Sequence, residues 1–286
     1  MSRPRVGLVW TRVRAEEKLL LEVLRRRGVE LVSISDRQLQ LPILGPQPLS
    51  GCAVVLLRCL GHAQQLALAR VCQGQGIRTV NAAAVIEICD DKLATSVALA
   101  AAAVPTPRTR VAFSLEAALE AVEELGYPCV VKPVLGSWGR LVGRLNDRDA
   151  AEAVLEHKFQ LGGSLHRVAY LQAHVQKPGR DLRAFFVGGR TVAAIGRRSA
   201  HWITNTARGA TAEAVTVTEA MDDLCRRAAA AVGGGALAID LLETGDGGLL
   251  VNEVNATMEF RNSIAPTGVD IAAELVAHAL AEAGAT

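Results

Sequence analysis

Apolar positions along this chain recur in two periods. Compact apolar runs at residues 5–10, 29–35, 52–60 and 77–81 alternate with stretches at 15–28 and 62–76 whose apolar residues return every three to four positions. The first pattern suits buried strands and the second amphipathic helices, so the segment predicts a parallel α/β unit. Residues 82–104 form an alanine-rich stretch that predicts a long helix or a helix pair, closed by Pro105 and Pro107. A second α/β unit follows, with a strand at 110–113 and a helix from the N-cap candidate Ser114 to the stop at Gly126. A strand at 127–134, a loop "LGSWG" and a helix at 147–159 complete it. The last part predicts a hairpin turning at Gly188-Gly189, a polar functional loop at 199–218, a helix at 219–234 and a second hairpin around "GDGG". A loop and a terminal helix close the chain.

The composition narrows the function classes. The 286 residues suggest about two domains. Half are apolar and 3% aromatic, so alanine, valine and leucine fill the interior. Net charge is +2, which argues against a general polyanion binder and therefore against a nucleic-acid partner. The six cysteines lie scattered in apolar segments without a C-x-x-C pair, which predicts buried free thiols in a reducing compartment and no zinc site. The first residues lack the apolar core of a signal peptide, and no segment reaches the ~20 apolar residues of a membrane span. The expectation is a cytoplasmic protein with no membrane partner. Of the 31 basic residues only Lys18, Lys92, Lys132, Lys158 and Lys177 are lysines, so each one draws notice.

Three places carry candidate chemistry. In the second hairpin, strands pairing symmetrically about "GDGG" set Asp240 opposite Glu253, and alternation puts Glu253 and Asn255 on one face. Three oxygen-bearing side chains so placed suit Mg²⁺; the alternative is a solvated edge hairpin in which the facing carboxylates repel. In "VVKPVLGSWGR", Lys132 sits in an apolar run beside a loop, Gly136 to Gly139, whose backbone N–H groups can approach an anion. That reads as a phosphate clamp, against a lysine snorkelling from a strand end beside an ordinary turn. Arg183, Arg197, Asn205 and Arg208 are suited to carboxylate or phosphate recognition, though singly each could be structural. Lys92, after two aspartates, is ambiguous alone. There is no G-x-x-x-x-G-K-[ST] P-loop, and "GQGIRT" precedes a strand rather than opening a helix, which disfavours an NAD-dependent oxidoreductase.

The order of these motifs, "VVKP…GSWGR", "LQAHVQKPGRDLRAFFVGGR", "RRSAHWITNTARGA" and "AIDLLE…LLVNEVNATMEFRNS", resembles the ATP-grasp superfamily and, within it, the RimK-like branch. It is most similar to the amino-group carrier protein ligases of lysine and arginine biosynthesis. The resemblance implies an ATP-grasp fold of α/β and α+β class: an N-terminal parallel α/β domain (1–90), a central subdomain with the phosphate-binding loop (91–172) and a C-terminal subdomain with the metal site (173–286), the last two sandwiching ATP. It implies that Lys92 and Lys132 meet the phosphates, that Gly136, Ser137 and Gly139 belong to a loop closing over them, and that Gln172, Ala173, His174 and Val175 hold adenine. Asp240, Glu253 and Asn255 would hold two Mg²⁺ ions. Asn205 would lie near the γ-phosphate; Arg183, Arg197 and Arg208 would steady charge; Thr257 and Glu259, with Arg197, would serve the substrates. Ala173, His174 and Ala256 depart from the residues usual in that group. The implied reaction is ATP-dependent amide ligation, through an acyl phosphate, of an amino acid to the C-terminal glutamate side chain of a small acidic carrier protein, by a homo-oligomer. The competing readings are a glutamate ligase for another protein or peptide, and a nucleotide-binding regulatory module without catalysis.

Overall fold

The computed structural model describes residues 3–136, 139–204 and 209–284. The first 80 residues run β1 (Arg5–Trp10), α1 (Ala15–Arg26), β2 (Glu30–Ser35), β3 (Val54–Arg58), α2 (His62–Gly74) and β4 (Thr79–Val80). The four strands form one parallel sheet in the order β2-β1-β3-β4. The parallel unit expected from the alternating pattern is therefore present. The central strands β1 and β3 read as nearly unbroken apolar runs because helices cover the sheet: β3 is buried throughout.

The alanine-rich stretch is a helix pair, α3 (Ala83–Asp90) and α4 (Lys92–Ala101). The break falls at Asp91, whose carboxylate accepts from the N–H groups of Leu93 (2.8 Å) and Ala94 (3.1 Å) and so caps α4. The break also swings Lys92 toward the glycine loop, and its N–H donates to Val134 O at 2.9 Å.

A second sheet is antiparallel, in the order β5 (Thr109–Ala112), β8 (Ala169–Ala173), β6 (Cys129–Lys132), β7 (Gly143–Leu145). Helices α5 (Leu115–Leu125) and α6 (Arg148–Leu161) cover it, and Leu145, Leu155 and Leu171 are fully buried in a core of its own. Ser114 caps α5 as expected, and Gly126 ends it at φ +85°.

The third sheet runs β11-β10-β9-β12-β13, with β9 (Arg180–Val187), β10 (Arg190–Arg198), β11 (Thr211–Ala214), β12 (Leu237–Glu243) and β13 (Leu249–Asn255). Both expected hairpins form. The stretch 199–218, read as loop throughout, contains β11, paired antiparallel to β10 with Arg198 opposite Thr211. Its sequence "TAEA" has one β-branched residue, and its edge position rather than its composition makes it a strand. Helix α7 (Glu219–Ala231) packs on one face of the sheet, while α8 (Arg261–Thr267) and α9 (Ile271–Glu282) lie at the other.

The first and third sheets share one core. Leu8, Leu20, Leu24 and Leu56 pack with Phe185, Phe260, Leu275 and Val276, all at most 3% exposed. No single described helix is long and apolar enough to cross a membrane; α8 and α9 pass that test only together, bent by 111°. All six cysteines are buried and free. Burial pushes the thiols of Cys72 and Cys129 up to about 11 and those of Cys59 and Cys225 up to about 12.

Candidate active site

The second and third sheets face each other across a cleft of about 890 Å³ including its mouth. The charged ladder on its floor follows from strand alternation. Asp181 and Arg183 point the same way on β9; Arg197 of β10 stands opposite Asp181, Asp240 of β12 opposite Arg183, and Glu253 of β13 opposite Asp240. Arg183 grips Asp240 with both Nε (2.7 Å) and Nη2 (2.9 Å). Arg197, 3% exposed, bridges Asp181 (2.6 Å) and Asp240 (3.0 Å). Burial alone would raise the Asp240 carboxyl, but these two guanidinium groups hold it below the usual carboxylate range. Burial likewise opposes the Arg197 charge, and Asp240 and Asp181 more than restore it.

Asp240 meets Glu253 as the symmetric pairing predicts, but through an irregularity: the next pair is Leu241 with Val251, which leaves Asn252 as an extra residue on β13. That bulge lets Asn252 and Glu253 both line the cleft. Asn255 stands off the lining, its amide donating to Ala238 O at 3.3 Å. Among the described residues no three His, Cys, Asp or Glu side chains cluster as a metal site; the expected set holds only two carboxylates.

Three of the five lysines line the cleft. Lys132 ends β6 and donates to Gln172 Oε1 (2.6 Å) and Asn252 Oδ1 (2.9 Å). Burial pulls its pKa down to about 8, with Glu253 opposing the shift. Lys92, at the start of α4, donates to Gly136 O at 2.5 Å and lies 3.4 Å from Glu253. Lys177, which the pattern did not single out, donates to Thr204 Oγ1 (2.8 Å) and lies 3.8 Å from Asp181.

Gly136 (φ +133°) and Gly139 (φ +63°) adopt conformations that favour glycine, and a Cβ on Gly139 would stand 3.2 Å from Ile203 Cγ2. The glycine loop thus meets the 199–204 segment over the cleft. Trp202 also lines the cleft, its ring 6.2 Å from that of His174 and capped by the Arg144 guanidinium at 5.6 Å. Gln172, Ala173, His174 and Val175 all line the cleft. Ser137, Asn205 and Arg208 lie outside the described residues.

A second cavity of about 570 Å³ adjoins the ladder at Arg183 and is lined by Arg14, Glu16, Arg183, Glu259 and Arg261, among others. Arg183 belongs to its wall and also grips Asp240, which belongs to the cleft. Glu259 accepts from Arg14 Nη1 at 2.8 Å. Thr257 is off the lining, its hydroxyl accepting from Gln65 Nε2 at 2.6 Å.

Known proteins share this architecture. Residues 89–279 match the RimK-like ATP-grasp domain, and residues 6–88 match the LysX preATP-grasp domain. The chain belongs to the RimK-like ATP-grasp family. It is 32% identical over 274 residues to an α-aminoadipate–LysW ligase LysX from Sulfurisphaera tokodaii, and equally to a glutamate–LysW ligase ArgX from that organism; each match covers 95% of this chain and 96% of the relative. A solved RimK domain ATP-grasp protein from Sphaerobacter thermophilus superposes with a TM-score of 0.81 at 32% identity, covering 96% of this chain and 99% of the other. As a member of the family this protein is an ADP-forming amide-bond ligase, and ATP-grasp enzymes use ATP and Mg²⁺.

Proposed function

We propose that this ligase joins the α-amine of an amino acid, an amino diacid such as glutamate or α-aminoadipate, to the C-terminal glutamate side-chain carboxylate of a small acidic amino-group carrier protein. Likeness along almost the full length to two ligases named for LysW supports the carrier as acceptor. The observation that carries the reading is the wall shared by two cavities: Arg183 and Asp240 separate a lysine-lined cleft from an arginine-lined pocket. One can hold a triphosphate and the other an amino acid, with the reacting groups meeting at the partition.

In this reading Lys92 and Lys132 hold the phosphates as compact, rotatable charges, and Lys177 adds a third. Gln172 to Val175 cradle the adenine edge. The loop Gly136–Ser137–Gly139 closes over the phosphates, and Asn205 and Arg208 act at the γ-phosphate. The oxygen donors fit a hard divalent ion entering with the triphosphate: Glu253 faces the cleft 26% exposed, opposite Asp240. Asp240, Glu253 and Asn255 would hold Mg²⁺, as two ions, and the metal would supply neutralisation of phosphate charge. The acceptor carboxylate oxygen attacks the γ-phosphorus as the bond to ADP breaks. The neutral amine then attacks the acyl carbon, phosphate leaves with the bonding pair, and the amine proton passes to solvent. The protein contributes alignment and charge rather than a nucleophile. Closure over the phosphates would exclude water, which would otherwise hydrolyse the acyl phosphate. Residues 1–90, 91–172 and 173–286 act as three functional units of a cytoplasmic homo-oligomer.

The test supplies ATP, Mg²⁺ and a carrier ending in glutamate, with glutamate and α-aminoadipate offered separately, and reads the carrier's intact mass. A gain of one amino acid less water supports the reading. No gain on the carrier, with ADP released in the presence of another protein or peptide acceptor, overturns the carrier as substrate.

A further inference from the structure

The arginine-lined pocket draws one wall from outside the sheets that form the cleft. Arg14 precedes α1 in the N-terminal parallel unit, yet its Nη1 reaches Glu259 of the C-terminal unit at 2.8 Å. Its position is set from behind. Glu17, fully buried, accepts from the Arg14 backbone N–H (2.9 Å), Nε (3.1 Å) and Nη2 (3.1 Å). Glu17 in turn accepts from Arg58 Nε (2.9 Å), and Arg58 Nη1 donates to Met258 O (2.8 Å), beside Glu259. The Arg14 fork is therefore locked to the chain segment that forms the opposite side of the pocket.

Three arginines, Arg14, Arg183 and Arg261, and two glutamates, Glu16 and Glu259, line this cavity, and Arg14 and Arg183 are each also paired with a buried carboxylate, Glu17 and Asp240. The mixture of guanidinium and carboxylate groups suits a ligand that carries both carboxylates and an ammonium. Arg183 is committed to the partition by its two bonds to Asp240, so the reacting amine and its α-carboxylate belong at that end. Arg14 stands on a different wall. It has five N–H donors and spends three on Glu17 and Glu259, which leaves two for a ligand.

We propose that Arg14 is the residue that selects the amino-acid substrate, by receiving the distal carboxylate of an amino diacid, and that Glu17 is its positioning residue. The proposal rests on the ligase reading above and deepens it, placing side-chain selection in the N-terminal unit, away from the nucleotide machinery.

Two measurements test it. In the ligation assay, Arg14→Gln raises KM for glutamate or α-aminoadipate roughly 10- to 100-fold, the loss expected of a charge-assisted hydrogen bond. It changes KM for ATP less than about threefold, and the preference for glutamate over glutamine collapses. Arg14→Lys, which keeps the charge but loses the fork, falls between and guards against a folding defect in the glutamine variant. Equal rises in KM for glutamate and glutamine, or a comparable rise for ATP, would show a merely structural role and overturn the proposal. The second measurement needs no turnover. With ADP and Mg²⁺ present, glutamate or α-aminoadipate raises the Tm of the wild-type protein, glutamine does not, and Arg14→Gln loses the response. A wild-type protein stabilised by no amino diacid overturns the proposal. Stabilisation by a diacid with no product on the carrier overturns the carrier reading and leaves the Arg14 assignment standing.

Discussion

The cleft and the smaller pocket meet at Arg183 and Asp240 but present charge by different means. The cleft's three lysines come from a strand end, a helix start and a loop. Burial lowers the pKa of two of them, Lys132 and Lys177. The pocket's cations are arginines, and two of the three are braced by buried carboxylates. A transferring phosphoryl group changes charge and position during the reaction, and rotatable ammonium groups can follow it. An amino acid has only to be chosen and held, which suits planar forks fixed in place. The difference separates adaptability from selection within one site.

The largest effect is expected at the partition. Arg197→Met leaves Asp181 and Asp240 facing each other in the interior with half their compensation gone. It should destabilise the protein by about 3–5 kcal/mol, seen as a lowered midpoint in urea unfolding and a loss of both ligand responses at once. Glu253→Gln comes next. It should lower kcat by about 10²–10³ with little change in Tm, because Glu253 faces the cleft rather than the core. Near-normal turnover would remove Glu253 from the metal-holding set. Lys132→Ala sharpens the contrast: KM for ATP should rise about tenfold or more while KM for the amino acid stays put. Unchanged ATP kinetics would end its role at the phosphates.

The smallest effect is one of pH. The Lys132 ammonium is held at about 8 against an ordinary 10.5, so its charge is lost as pH rises through that value. Affinity for ATP should decline above about pH 8, by at most about tenfold per pH unit, and Lys132→Arg should flatten the decline. In the free protein the same shift acts oppositely on stability. The unfolded chain keeps that proton up to about 10.5, so this group's cost to folding is relieved as pH rises from 8 toward 10.5. A decline that persists unchanged in Lys132→Arg would assign it to another group.

How much of this was legible in the sequence follows the range of the interactions. Hairpins are local: "GG" and "GDGG" between apolar runs announce β9–β10 and β12–β13, and counting outward from the second turn pairs Asp240 with Glu253. A bulge is not announced by composition, so Asn252 stayed hidden in "VNEVN", although it is a direct partner of Lys132. Lys177 lay between Gln176 and Pro178 with no periodicity around it. The break at Asp91 could be read only as a helix or a pair, because alanine favours helix on both sides and the cap becomes decisive only with the chain turned toward Val134. Arg14 was the least visible. Its charge sits in "TRVRAEEK", where a helix start with acidic residues behind it needs no further explanation. Its meaning comes from Glu259, 245 residues away.

In the proposed reaction the acceptor carboxylate is activated by phosphate in the cleft and captured by an amine from the neighbouring pocket. Heavy oxygen placed in the side-chain carboxylate of the carrier's terminal glutamate and followed through one turnover reports on that step. Transfer of one heavy oxygen atom to the released inorganic phosphate, alongside ADP, is the predicted result. Amide formed with unlabelled phosphate, or with AMP in place of ADP, would contradict it.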